Sequence, residues 1–141
     1  MARPDPYVDA LGSVPLFSAC SRKELALVAK QGVRQSADAG EVLVKEGSAG
    51  AELSVILEGT ARVERHGRKV ATLGPGGFFG DLSLLDRAPR NASVIAVTPM
   101  ELIVLHQRAF DELLATGPGL AKKLLVGLAR RLRQEDAKTV Q

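Results

Sequence analysis

Apolar positions near the start of the chain recur with the spacing of a helix. They are Leu16, Phe17, Leu25, Leu27 and Val28. Ser21 and, three residues later, Glu24 form the pattern of a capping box, in which each side chain bonds the other residue's backbone N–H. Gly32 then supplies a stop. The sequence therefore predicts one helix between Ser21 and Gly32.

From residue 33 to residue 106 the pattern changes to short runs rich in β-branched residues and separated by glycines. The predicted strands are Glu41–Lys45, Leu53–Glu58, Ala61–Arg65, Lys69–Leu73, Ala92–Val97 and Leu102–Leu105. Short strands at this spacing, with turn residues between them, are typical of a barrel or roll.

Gly67 marks a hairpin turn between two of these runs, because glycine adopts the positive φ that tight hairpins need. Side chains alternate between the two faces of a strand. The alternation places Ala61 and Val63 on one face of the hairpin, with Ala71 and Leu73 on the matching face of the return strand.

Helical periodicity returns after residue 106. Residues 107–114 predict one helix, and a Gly-Pro-Gly break at residues 117–119 separates it from a second. The apolar positions of the second helix are Leu120, Leu124, Leu125, Leu128 and Leu132. Its polar face carries Lys122, Lys123, Arg130, Arg131 and Arg133.

Length and composition narrow the class of protein. A chain of 141 residues with 45% apolar and 25% charged residues is sufficient for one globular domain, which we place at residues 14–135. Residues 1–13 predict a loose leader that turns helical near residues 8–11, and residues 136–141 a polar tail. The net charge of +3 is modest for a nucleic-acid binder.

Cys20 is the single cysteine, so no disulfide forms within the chain and a reducing cytoplasm is the expected location. No apolar run approaches the roughly 20 residues of a membrane span, and the N-terminus lacks the apolar core of a signal peptide.

The stretch GGFFGDLSLLDRAPRNAS at residues 76–93 carries the candidate chemistry. Gly80 and Asp81 stand where a brief apolar helix begins, and Arg90 follows a proline that ends it. Backbone N–H groups of Leu82 and Ser83, together with a guanidinium, form a site for phosphate. A carboxylate beside phosphate would repel it unless it accepts hydrogen bonds from sugar hydroxyls. These residues predict a nucleotide site.

The same stretch resembles the phosphate-binding cassette of cyclic nucleotide-binding domains. The matching segments are FGDLSLL at residues 79–85 and RNAS at residues 90–93. The opening before the predicted barrel is also similar to that family, so the resemblance extends over residues 14–135. It implies a mainly β fold, an antiparallel β-roll of about eight strands with one N-terminal helix and two C-terminal helices.

The resemblance further implies a 3′,5′-cyclic nucleotide as ligand, with cyclic AMP preferred and cyclic GMP open. The implied ligand-binding residues are Gly80, Asp81, Leu82, Ser83, Arg90, Asn91 and Ala92, with Val63, Ala71 and Leu73 as pocket walls. Two positions depart from the family pattern. Asp81 replaces the usual glutamate and is shorter by one methylene, and Asn91 replaces a small or hydroxyl residue.

In this family the last helix moves when ligand binds, and a residue on it often covers the base. Arg130, Arg131, Arg133 and Gln134 are the candidates here, and the sequence does not select among them. The implied partners are an unknown protein effector and, through the leucines of the last helix, a second copy of the chain. DNA binding by this chain alone is not expected, because no helix-turn-helix follows the domain.

Two alternatives remain. The first is a degenerate member of the family that binds no nucleotide and acts as a protein-interaction scaffold. The second is an enzyme on a cupin-like metal barrel. His66 and His106 are the two histidines of the chain, and their wide separation in sequence disfavours such a metal site. We find no catalytic triad, paired carboxylates or phosphate-loop lysine, and therefore predict no catalytic residue, no metal and no cofactor.

Overall fold

The computed structural model describes residues 5–81, 83–86 and 88–140. Eight antiparallel strands in this part of the chain form two four-stranded sheets, which face each other as a roll. The strands are β1 (Val33–Ala37), β2 (Val42–Val44), β3 (Glu52–Glu58), β4 (Ala61–Arg65), β5 (Arg68–Leu73), β6 (Phe78–Phe79), β7 (Ser93–Ala96) and β8 (Met100–His106). The predicted β-roll of about eight strands is confirmed.

Helices lie before, within and after the roll. They are α1 (Pro6–Ser13), α2 (Arg22–Ala29), α3 (Ser83–Asp86), α4 (Gln107–Thr116) and α5 (Pro118–Val140), and a 3-10 turn covers Pro15–Phe17. The two predicted C-terminal helices are α4 and α5. The predicted capping box begins α2, where the Ser21 hydroxyl accepts from the Glu24 amide at 3.2 Å and the Glu24 carboxylate from the Ser21 amide at 2.8 Å.

The strand order is β1-β8-β3-β6 in one sheet and β2-β7-β4-β5 in the other. Two strands in the first sheet were not predicted from the sequence. Four of the five residues of β1 are exposed, so it carries no alternation of apolar and polar residues to detect. The strand β6 is only two residues long and pairs with the middle of β3.

The β4–β5 hairpin has the predicted turn and faces. His66 and Gly67 both have positive φ, at 54° and 76°, which is the backbone of a tight hairpin. Ala61 pairs with Leu73 and Val63 pairs with Ala71 across the hairpin, as the alternation predicts. A bulge follows Val63 and shifts the register toward the turn.

The core has two parts. One lies between the sheets and includes Ile56, Ala61 and Leu102. The other lies between the β3–β8 sheet and the helices, where the rings of Phe17 and Phe110 meet edge to face at 6.3 Å. The helices before and after the roll therefore share one core, although about ninety residues of sequence separate those two rings.

The N-terminal segment is more ordered than the predicted loose leader. Asp5 caps α1 by accepting from the Tyr7 amide at 2.9 Å. Four residues of α1 are buried in the helix-side core, namely Tyr7, Val8, Ala10 and Leu11. Only one N-terminal helix was predicted, and the structure has two with a 3-10 turn between them. Burial of the apolar side chains of so short a helix stabilises what local propensity alone would leave marginal.

The long helix α5 packs on the N-terminal 3-10 turn through a glycine. A Cβ at Gly127 would lie 2.5 Å from the Leu16 carbonyl oxygen and 2.8 Å from that of Pro15, so only glycine allows this approach. Leu120 and Leu124 are buried on the same side of the helix. None of the helices in the described ranges has the length and apolar character required to cross a membrane.

The orientation of α5 corrects one prediction. Leu125 and Leu132, assigned to its apolar face, are both 65% exposed, whereas Arg131, assigned to its polar face, is half-buried against the roll. The five leucines do not define one stripe, because Leu125 and Leu132 lie on a different side from Leu120, Leu124 and Leu128. The inward stripe instead continues from Leu128 to Arg131, three residues further on.

Candidate functional site

A cavity of about 390 Å³ opens between the β2-β7-β4-β5 sheet, the turn after β6 and helix α5. Its volume lies within the range of small-molecule sites. Apolar lining comes from Val44, Val63, Leu73, Phe78, Phe79, Ala88, Pro89, Ala92 and Val94. Gly80 and the polar residues Asp81, Ser83, Asp86, Arg90, Asn91 and Arg131 complete the wall.

The backbone of Arg90 is held on both sides by the turn that follows β2. The Gly47 amide donates to the Arg90 carbonyl at 2.7 Å, and the Arg90 amide donates to the Ser48 carbonyl at 2.8 Å. Ala49 and Pro89 form an isolated β-bridge beside these bonds. These backbone contacts therefore fix the point from which the Arg90 side chain enters the cavity.

The Arg90 guanidinium extends toward Gly80 and Ser83. Its Nη2 donates to the Glu52 carbonyl oxygen at 3.1 Å. A Cβ at Gly80 would overlap Arg90 Nη1, and a Cβ at Gly50 would overlap Arg90 Nε and approach Ser83 Oγ. Two glycines thus make the space that the planar group occupies.

The charge of this guanidinium is set by two opposing effects. Burial lowers the pKa of Arg90 from its ordinary value, and the neighbouring Glu52 carboxylate raises it. Because the pKa of arginine ordinarily lies far above neutral, the group remains a cation at neutral pH. A partly buried cation with one carbonyl partner retains donors for an anion in the cavity.

Asp81 lines the same cavity as Arg90 and is a buried charged residue, with 6% of its surface exposed. Its carboxylate Oδ2 accepts from Arg131 Nη1 of α5 at 2.5 Å. A carboxylate in this position can accept from a sugar hydroxyl, which only needs an acceptor.

The turn after β6 is tight and joins the site to α4. Gly80 has φ of 88°, and the Ser83 amide donates to the Gly80 carbonyl at 3.1 Å. This amide is used within the turn, contrary to the expectation that it faces a phosphate. Gln107, at the start of α4, donates through Nε2 to the Leu84 carbonyl at 3.0 Å in the buried interior. Movement of the turn would therefore reach α4 directly.

Most of the sequence-predicted site residues meet at this cavity. The residues on its wall are Gly80, Asp81, Ser83, Arg90, Asn91, Ala92, Val63 and Leu73. Leu82 lies outside the described residues. Ala71 is not on the wall and is exposed, although it pairs with Val63. Ala71 lies on β5, the edge strand of this sheet, and is nearer the hairpin turn than Leu73.

Sequence reasoning missed Gly50 and Glu52, and it left Arg131 as one of four candidates. Glu52 accepts the Arg90 hydrogen bond through its backbone oxygen, which no sequence pattern reveals. Gly50 belongs to a series of glycines that all looked like turn residues. Arg131 could have been selected by continuing the spacing of Leu124 and Leu128 by three residues.

Neither histidine takes part in a metal-like cluster. His66 Nδ1 lies 3.4 Å from Glu46, and His106 Nδ1 lies 3.2 Å from Glu52. Across the described ranges, which omit residues 82 and 87, no group of three or more His, Cys, Asp or Glu side chains could hold a metal ion.

The cavity thus offers the Arg90 guanidinium for an anion, the Asp81 carboxylate for a hydroxyl and an apolar wall for a flat ring. These three functions match the phosphate, sugar and base of a nucleotide. Arg90 and Asp81 line the same cavity, which suits a ligand that carries both a phosphate and a sugar hydroxyl, as a cyclic phosphodiester fused to ribose does.

Comparison with known proteins agrees with this geometry. The family model described as the cyclic nucleotide-binding domain matches residues 34–116. The N-terminal domain of a transcriptional regulator from Streptomyces coelicolor superposes with a TM-score of 0.83 at 32% identity, covering 92% of this chain and 94% of that one.

Two curated relatives come from different kingdoms. The cyclic AMP receptor protein of Thermus thermophilus is 35% identical over 127 residues, which cover 86% of this chain and 59% of that protein. A cAMP-dependent protein kinase regulatory subunit of Hypocrea atroviridis is 33% identical over 98% of this chain and 28% of its own length. The chain therefore corresponds to only part of each relative. It belongs to the family of cyclic nucleotide-binding domains.

Proposed function

We propose that this domain binds a 3′,5′-cyclic nucleotide, with cyclic AMP as the preferred ligand. The observation that supports this most strongly is the Arg90 guanidinium, for which Gly50 and Gly80 leave space in the cavity wall. In the proposed complex Arg90 binds the cyclic phosphate and Asp81 binds the ribose hydroxyl. Val63, Leu73 and Ala92 contact the apolar parts of the ligand.

The preference for cyclic AMP is based on the names of the two relatives, a cyclic AMP receptor protein and a regulatory subunit of a cAMP-dependent kinase. The apolar wall of the cavity carries few groups that would recognise a particular purine edge. Cyclic GMP is therefore the control ligand.

We propose that occupancy is passed on through the C-terminal helices. Two contacts support this route. Gln107 joins α4 to the turn at Leu84, and Arg131 joins α5 to Asp81. A ligand can shift these helices only if it binds their two positions with different affinity. Contacts from both helices to the cassette make such a difference physically reasonable.

The role proposed is regulatory rather than catalytic, in the cytoplasm, with a protein effector as the recipient of the signal. A second copy of the chain is a further candidate partner. The exposed Leu125 and Leu132 are seven residues apart on α5, a spacing typical of helix pairs. We do not expect DNA binding from this domain by itself.

Calorimetric titration of the intact chain tests the proposed function. We expect saturable binding of cyclic AMP with one site per chain and weaker binding of cyclic GMP. Linear 5′-AMP is the control, because its dianionic phosphate lacks the ring closure that places phosphate and sugar hydroxyl together. Absence of saturable binding of either cyclic nucleotide would favour the alternative of a scaffold that has lost its ligand.

A further inference from the structure

We propose that Arg131 is a latch that competes with the ligand for Asp81, so that nucleotide binding releases the end of α5. This inference rests on the proposed function of the cavity. The Arg131–Asp81 ion pair connects a buried carboxylate of the cassette with the last part of a long helix, 50 residues further along the chain.

The Asp81 carboxylate is already paired with Arg131. The Asp81 side chain is 8% exposed, and Arg131 Nη1 lies 2.5 Å from its Oδ2. A carboxylate removed from water needs a charged or hydrogen-bonding partner, and arginine is the stronger of the partners available. A sugar hydroxyl offers a single neutral hydrogen bond. The hydroxyl must therefore displace or share a charge-assisted bond to reach the same oxygen.

The rest of α5 is held at the other end. Gly127 packs against the backbone of the N-terminal 3-10 turn, and Lys123 pairs with Glu24 of α2. Both contacts precede residue 128. Within residues 130–135, Arg131 is the one side chain that is not exposed. The ion pair to Asp81 is thus a partly buried contact between this part of the helix and the roll.

The pairing of Asp81 and the attachment of α5 before residue 128 together predict what ligand binding does to the helix. When the ribose hydroxyl takes the Asp81 carboxylate, Arg131 loses its partner and the helix beyond Gly127 is held less firmly. Conversely, the ion pair lowers the affinity for nucleotide, because part of the binding free energy is used to break it.

The test compares Arg131→Gln with Arg130→Gln in the intact chain, titrated with cyclic AMP and cyclic GMP. Both variants remove one positive charge from adjacent positions of α5, and Arg130 is exposed. Long-range attraction of the anionic ligand is therefore matched. We expect Arg131→Gln to bind about tenfold more tightly than Arg130→Gln, the size of one lost charge-assisted bond. Equal or weaker binding would overturn the latch.

Amide hydrogen exchange gives a second readout. Without nucleotide, Arg131→Gln should exchange faster over residues 128–135 than wild type and Arg130→Gln, and wild type should become equally fast when cyclic AMP is bound. Unchanged exchange in Arg131→Gln would also overturn the proposal. If none of the three proteins binds either nucleotide, the proposed function fails and the latch fails with it. If wild type binds but Arg131→Gln has no advantage, the latch alone fails.

Discussion

Replacing Arg90 with alanine should abolish most of the affinity for cyclic AMP while the domain remains folded. The phosphate would lose the one cation that the Gly80 turn presents to it, and a partly buried anion would lack its partner. The loss of binding free energy should be about 2–5 kcal/mol, or roughly 30-fold to several-thousand-fold in Kd. Calorimetric titration of the variant against wild type measures it.

Two further variants complete this test. Arg90→Lys keeps the charge but lacks the planar fork, so it should recover only part of the affinity. Arg108→Ala removes the same charge from an exposed position at the start of α4 and should bind like wild type. An Arg90→Ala protein that binds cyclic AMP as tightly as Arg108→Ala would show that the guanidinium does not hold the phosphate.

Gly127→Ala should have the second largest effect, on the stability of the fold. The new methyl would meet the backbone oxygens of Leu16 and Pro15, which cannot move aside as a flexible side chain could. Overpacking at such a contact costs about 1–3 kcal/mol, more than alanine gains over glycine in a helix. The free energy of unfolding, measured in urea, should therefore fall.

Gly119→Ala is the matched control, because a Cβ at Gly119 of the same helix would meet no atom within 4 Å. This change should leave stability unchanged or raise it by up to about 1 kcal/mol, since alanine favours helix more than glycine does. If the Gly127→Ala protein had the same free energy of unfolding as the Gly119→Ala protein, α5 would not depend on close contact with the 3-10 turn.

The structural roles that could be predicted from the sequence are those that depend on a local sequence pattern. The capping box at Ser21 and Glu24, the hairpin at Gly67 and the position of Arg90 after Pro89 all rest on neighbours within a few residues. Because the motif around Arg90 spans a fixed length, it also identified most of the cavity wall.

Features that depend on distant parts of the chain could not be predicted in this way. The edge strand β1 has one buried residue and obtains its order from pairing with β8, about seventy residues later. Helix α1 is stable because its apolar side chains fill a core built by α2, α4 and the roll. In both cases the element is ordered by its place in the tertiary structure and not by its own sequence pattern.

The site shows the same division. Ala71 alternates correctly with Leu73 and pairs with Val63, but it lies on the edge strand β5 and is not on the cavity wall. Arg131 was grouped with the polar face of α5 because the exposed Leu125 and Leu132 were taken for core positions. Which leucines face the roll is decided by the close approach at Gly127, a contact between residues more than one hundred positions apart.

The most direct test of this account is a crystal structure of the domain with cyclic AMP bound. We expect the exocyclic phosphate oxygens to lie within hydrogen-bonding distance of the Arg90 guanidinium, and the ribose 2′-hydroxyl within that distance of the Asp81 carboxylate. A nucleotide bound elsewhere on the roll, or one in the cavity with its phosphate directed away from Arg90, would contradict the account.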